Sequence, residues 1–484
     1  MVWFQIERSV KKEVVQTACL REKKSLTSMS FNYNTCLVCC LFIYITCSHR
    51  PACYNYTCSK PKRHYHAILL FAKKLLCSVI GFYFLLPPFL FSLCPCLVKE
   101  ISALSMVSKA ISSCIAGNIS TLAWRNRMLL QEFHKCGQHN KEDSILEHYR
   151  ALGLLFKRCT FLLPTKERLK FIYSKLSQVP CFTMGRCSAM PGCLGFASYG
   201  VFLQTLIAGW DELECHRVFN FLCDFTSLPR KIHTVVTSKS GVSPRLEIQI
   251  RLFCRNVLLD HWQSSRDTLF WLTRILKPWP MVNQARLIYI IYGPLTLDGR
   301  IGWQKLTEGA AEESNVKDMA DAIRLLHGDQ ETKEWTADSV ISLIDELSAV
   351  PSEWLLENSA RLLILCGNRI CYTSMASKAV NGRVNELARM VVFLALVCEK
   401  DSYCMDWAVK MMQKICKVFS NAEEKWNFLQ TVENVFCQVT MELYESVMAG
   451  DRNEDTDTFQ SLCNVLNANA HFHTEILYTF IKKE

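Results

Sequence analysis

From residue 142 onward the apolar residues return every three or four positions, and the chain reads as helix after helix. Leu146, Tyr149, Gly153 and Phe156 line one face of a helix expected over 142–158. Thr165 is placed to cap the next, over 168–176, with Leu169, Ile172 and Leu176 on its apolar side. Helical spacing then covers 201–210, 211–225, 246–259, 267–276 and 282–292, with Pro278 and Pro280 as breaks. Thr336 is an expected N-cap for Val340, Ile341, Ile344 and Leu347. Pro351 suits the first turn of a helix carrying Trp354, Leu355, Leu362 and Leu365, and Gly367–Asn368 supply its stop. Further helices are expected over 385–399, after Gly382, and over 405–419, about 422–449 and about 456–481.

Strand patterns are scarce. Residues 231–237 and 246–250 would form a hairpin around 238–243, the second stretch competing with the helical reading. Residues 299–315 and the acidic 450–457 read as surface loops. No strict sequence period emerges, so no named repeat is assigned. The expected fold is all-α: an irregular, solenoid-like array of helix hairpins.

The first 98 residues differ from this. They hold ten of the 26 cysteines, and twelve Lys and Arg against three Asp and Glu, a surplus of nine within a whole-chain charge of +10. The remaining 386 residues are close to neutral, which argues against a nucleic-acid-binding body. Three readings of 1–98 compete. A membrane anchor would use the 24 uncharged positions from Leu75 through Val98, flanked by Lys73, Lys74 and Lys99. That reading makes the protein a membrane-anchored helical scaffold. A metal or disulfide cluster would use Cys36, Cys39, Cys53, Cys58, His64 and His66, but the spacing fits no zinc module. The third reading follows from 82–97, where thirteen of sixteen residues are Phe, Leu, Pro or Ser, encoded largely by pyrimidines. A pyrimidine-rich tract ahead of a splice acceptor, read in frame, has this composition. Amphipathic period and capping signals that agree with one another are also missing here, so the third reading is preferred.

Chemistry-bearing motifs are few. There is no Gly-rich phosphate loop, HExxH, GxSxG or kinase signature. Cys215 and His216 are adjacent and so point to different helix faces, against a nucleophile–base pair. His471 and His473 have no identifiable co-ligands, and Asp338, Asp345 and Glu346 read as a polar face. No catalytic residue, metal site or cofactor is expected. The sixteen cysteines beyond residue 98 read as buried free thiols of a reducing compartment. The stretch 262–279, with Trp262, Trp271 and Trp279, reads as core and turn, or as a partner-binding groove.

The short helical region 99–115, KEISALSMVSKAISSCI, resembles the second half of an F-box. Glu100, Ile101, Leu104, Met106, Val107, Ser108 and Lys109 match its order of acid, apolar and basic positions, and Ile111 stands where Trp is usual. Long downstream runs strengthen the resemblance to an F-box family: ILEHYRALGLLFKRC, AGWDELECHRVFNFLC, LFCRNVLLDHW, FWLTRILKPWPMVNQARL and MASKAVNGR. The resemblance implies a non-enzymatic substrate receptor of an SCF-type ubiquitin ligase, cytoplasmic or nuclear. Its F-box would bind the Skp adaptor subunit, and through it a cullin and a RING protein. Adaptor contacts would fall to Ile101, Leu104, Val107, Ser108 and Ile111, and the rest of the chain would recruit an unknown protein substrate. The implied division is an aberrant or disordered, hydrophobic, Cys-rich segment over 1–98, a partial F-box with linker helix over 99–136, and a helical substrate-recruiting domain over 137–484. The first half of the motif departs from the family. Its Leu-Pro pair falls on Phe84 and Leu85, and no acid follows the nearby Leu86-Pro87-Pro88. Weakened adaptor binding is therefore expected.

Overall fold

Apolar stripes at helical spacing fold the chain into α-helices throughout the computed structural model, which describes residues 96–106, 109–129, 133–134, 139–187, 192–328, 333–449 and 455–481. Twenty α-helices occur among the described residues. They begin with α1 (Cys96–Leu104), α2 (Lys109–Ile119), α3 (Leu122–Met128), α4 (His139–Cys159), α5 (Thr165–Leu176) and α6 (Gly195–Ile207). Next come α7 (Glu212–Thr226), α8 (Leu228–Thr237), α9 (Pro244–Phe253), α10 (Ser265–Leu276), α11 (Met281–Tyr292), the single turn α12 (Lys305–Glu308) and α13 (Glu313–His327). The series closes with α14 (Ala337–Leu347), α15 (Leu356–Cys366), α16 (Asn368–Val380), α17 (Val384–Lys400), α18 (Met405–Cys416), α19 (Ala422–Ala449) and α20 (Asp455–Ile481). The only β-type pairing among the described residues is an isolated bridge between Leu295 and Ile301.

The helices pack mainly on second neighbours. From α11 onward one file runs α11, α13, α15, α17, α19, and a second runs α14, α16, α18, α20. One apolar core runs through the described helices, from Val98 in α1 to Phe472 in α20. Earlier in the chain α4 lies across both α1 and α6. Its approach to α6 is close because Gly153 has no side chain: a Cβ there would sit 2.6 Å from the Phe202 carbonyl oxygen.

Several local expectations hold. Thr336 caps α14 by accepting from the Ser339 N–H at 3.2 Å, and Ser339 returns the bond to the Thr336 N–H. Gly367 ends α15 at φ +89°, where a side chain would be strained. Others are corrected. The expected strands 231–237 and 246–250 are helical, within α8 and α9. Prolines stand in the first turn of both helices, and Ile232, Val235 and Val236 fall on one buried face. Thr165 is the first residue of α5, with no side-chain capping bond. Pro351 lies in a loop ahead of α15. The Trp354 N–H donates to the Ser348 carbonyl at 2.9 Å and its indole to the Val350 carbonyl at 2.7 Å, which holds that loop open. The 299–315 stretch is not purely surface loop: Trp303 is buried, stacks on Tyr289 at 4.9 Å and donates to Glu247 at 3.0 Å.

Of the amino-terminal readings, the Cys36–His66 cluster and most of the uncharged run lie outside the described residues. Its last residues, from Cys96, begin α1, and Val98 is fully buried in the core. No helix among the described residues is long and apolar enough to cross a membrane.

Candidate functional site

Two regions are candidates for a functional surface. The first is the short motif at α1 and α2. Ile101 is 6 % exposed and packs into the chain's own core. Ser102 beside it is fully buried, and its hydroxyl accepts from the Arg158 guanidinium at 3.1 Å. Lys99 pairs with Glu147 of α4 at 2.7 Å. That hydrogen bond holds the Glu147 carboxyl below its ordinary range against a smaller opposing effect of burial. Leu104 closes α1 and Ile111 sits in the first half of α2, while Val107 and Ser108 lie outside the described residues. Met106, between them, is exposed. The motif is thus a short helix pair fastened to α4. Its inner side is committed to the fold, and its outer side includes Met106 and Lys109.

The second region is a groove of about 1420 Å³ where the α6–α7 turn, the Trp262–Ser264 connection, α10 and α13 meet. It is the surface that the tryptophan-rich stretch offered as a partner groove. Trp271 is buried at its floor and stacks on Trp262 with ring centres 5.9 Å apart. Phe270 meets Trp271 edge-on at 5.2 Å, and Arg274 lies over Phe270 at 5.3 Å. Arg274 also faces Glu212 at 3.6 Å and Glu334 at 3.5 Å. Arg150 from α4 and Arg324 from α13 also line it, together with Asp211, Asp267 and Asp321. Aromatic faces beside forked guanidinium groups are the composition of protein-binding hot spots. Trp279 lies outside this lining, its ring tilted at 40° to that of His233 with centroids 6.3 Å apart.

The groove lacks an activated nucleophile. Cys215 is half-buried in its wall, and burial, reinforced by Asp267, pushes its thiol up to about 11, the opposite of the shift a reactive thiolate needs. His216 instead bonds the side chain of Asn220 at 3.1 Å. His471 and His473 both join helices: His471 meets Glu399 of α17 at 2.9 Å, and His473 meets Glu433 of α19 at 2.5 Å. The aromatic composition of 262–279 drew attention to Trp262 and Trp271 of this groove. It could not identify Arg150, Gln204 or Arg324, which arrive from helices far away in sequence and are brought in only by the stacking.

The comparisons with known proteins converge. The family model described as FBXO47, ARM repeats matches residues 224–483. F-box only protein 47 of Homo sapiens is 62 % identical over 384 residues, which is 79 % of this chain and 85 % of that protein. F-box only protein 47 of Mus musculus matches to the same extent. No solved structure matches the chain.

Proposed function

The chain belongs to the F-box only protein 47 family, and from that premise we propose that it is a non-enzymatic substrate-recognition subunit of an SCF-type ubiquitin ligase, working in the cytoplasm or nucleus. The 62 % identity to relatives named as F-box proteins carries the proposal. The paired helices support it, since stacks of this kind offer long continuous surfaces for partners. In this proposal the groove around Trp262, Phe270 and Arg274 receives the protein substrate. Leu104, Val107, Ser108 and Ile111 face the Skp adaptor, and Ile101 supports that surface from within. The receptor contributes no catalytic group and needs no cofactor: it holds the substrate while the cullin–RING assembly delivers ubiquitin.

Adaptor binding is weak in this chain, because the sequence before Glu100 lacks the acid and apolar alternation of a first F-box half. The test is a chimera that restores that half from an F-box relative. The chimera should co-purify with the adaptor, and Leu104→Asp within it should abolish co-purification while the circular dichroism stays helical. Adaptor binding that survives Leu104→Asp would overturn the assignment of the motif.

A further inference from the structure

A second constellation lies apart from both regions. Pro180–Phe182 form a single 3-10 turn after α5, and the chain then runs back to α6. Along it Cys181, Cys187 and Cys193 recur at intervals of six positions, and they are 6, 9 and 7 % exposed. His134 approaches from the turn that follows α3. Its Nε2 lies 3.2 Å from the Cys181 sulfur and 3.3 Å from the Cys187 sulfur. The four ligand atoms all lie within 4.8 Å of one another. We propose that His134, Cys181, Cys187 and Cys193 hold one structural zinc ion.

The geometry suits that ion. Zinc bonds of about 2.3 Å to sulfur and about 2.05 Å to nitrogen, at tetrahedral angles, separate S from N by about 3.5 Å and S from S by about 3.8 Å. Both measured S···N separations are within a few tenths of an ångström of this. Three soft thiolates and one imidazole form a closed set that favours zinc over calcium or magnesium.

The surrounding chain is shaped to bring these groups together. Gly185 takes φ +93°, which lets the chain reverse between Cys181 and Cys187. Gly195 allows α6 to start against the turn, since a Cβ there would fall 2.5 Å from the Cys181 Cβ. The Leu194 N–H donates to the Phe133 carbonyl at 3.2 Å, tying the histidine turn to the third cysteine. The Gly195 N–H donates to the Cys193 sulfur at 3.3 Å, a bond that would steady a metal-bound thiolate.

A divalent ion would bind the three sulfurs in their deprotonated form. The site would then clip the α5–α6 connection to the end of α3, cross-linking the block that carries the adaptor motif.

The test measures metal in the full-length chain purified without added zinc. Elemental analysis should give about one zinc per chain. Cobalt exchanged into the site should show thiolate-to-cobalt charge transfer and tetrahedral ligand-field bands. His134 is exposed, so H134A should keep the fold yet lower zinc affinity at least about tenfold in a chelator competition. H134C should retain the metal with an altered cobalt spectrum. Cys136, two positions further on, supplies the control: C136S should leave the metal in place. A metal-free chain, or zinc that survives C181S/C187S/C193S, would overturn the proposal. So would release of zinc by C136S but not by H134A, or a disulfide among the three cysteines in freshly purified protein.

Discussion

The block from α1 to α9 and the double file from α11 to α20 are both all-helical, but they are held together differently. The file relies on repeated apolar stripes. Val340, Ile344 and Leu347 of α14, and Leu387, Val391 and Leu394 of α17, are buried at regular spacing. The block relies on single close approaches. Gly153 admits the Phe202 backbone, Gly200 admits the Asn256 carbonyl, and Gly195 admits Cys181. Its buried polar groups are equally specific: Tyr149 donates to the Leu129 carbonyl at 2.6 Å, and Arg168 donates to Thr160 at 2.9 Å and to the Lys157 carbonyl at 2.8 Å. A stripe spreads its energy over many residues, whereas a close approach concentrates it in one.

The file also holds specific buried polar groups, Asn358 and Arg361 among them, and breaking the Arg361 set should have the largest effect. Arg361 is 2 % exposed and donates to Asp401 at 2.6 and 3.1 Å and to Glu357 at 3.0 Å. Arg361→Ala removes the guanidinium that Asp401 accepts from, while Glu357 keeps Lys400 at 2.9 Å, and should cost about 3 kcal/mol in denaturant unfolding. In the block, Gly200→Ala puts a methyl 2.0 Å from the Asn256 carbonyl oxygen and should cost about 2 kcal/mol, or shift the α6 contact. Gly117→Ala, in α2 with nothing within 4 Å, should instead stabilise by up to about 1 kcal/mol. If both alanines behaved alike, the contrast between close approach and open helix would fail. Thr336→Ala removes the α14 cap and should cost about 1 kcal/mol by the same assay.

The smallest effect is one of pH. Burial lowers the His473 pKa, but its hydrogen bond to Glu433 and a second to the Asn469 carbonyl outweigh that and raise it above 6.5. The contribution is full below 6.5 and is lost as pH rises through the raised value. Hydrogen exchange in α20, taken as the difference between the native chain and Glu433→Gln, should show extra protection at the acidic end only. Equal differences at both ends would remove His473 from the account.

The same contrast decides what the sequence made legible. Stripes and their punctuation were readable: Thr336 as a cap, Gly367 as a stop, and α19 and α20 nearly to their ends. The β-branched run Val235-Val236-Thr237 misled, because strand propensity is weaker than a helix-starting Pro229 and a buried face at i, i+3 and i+4. Pro351 misled because proline suits a turn as well as a helix start, and the bonds of Trp354 select the turn. Point contacts across the chain were not readable. His134 lies 47 residues before Cys181, and no local pattern joins them. The groove was half visible: Trp262, Phe270 and Trp271 share one stretch of chain, but Arg150 and Arg324 do not.

The proposed receptor joins an intact helical array, offered to the substrate, to a partial F-box-like motif. Gel-filtration co-elution with purified Skp adaptor tests it most directly, comparing this chain with the chimera carrying a restored first half. The account predicts that this chain elutes folded but without stoichiometric adaptor, and that the chimera elutes as a one-to-one complex. Stoichiometric adaptor on the unaltered chain, or a restored chimera that still fails to bind, would contradict it.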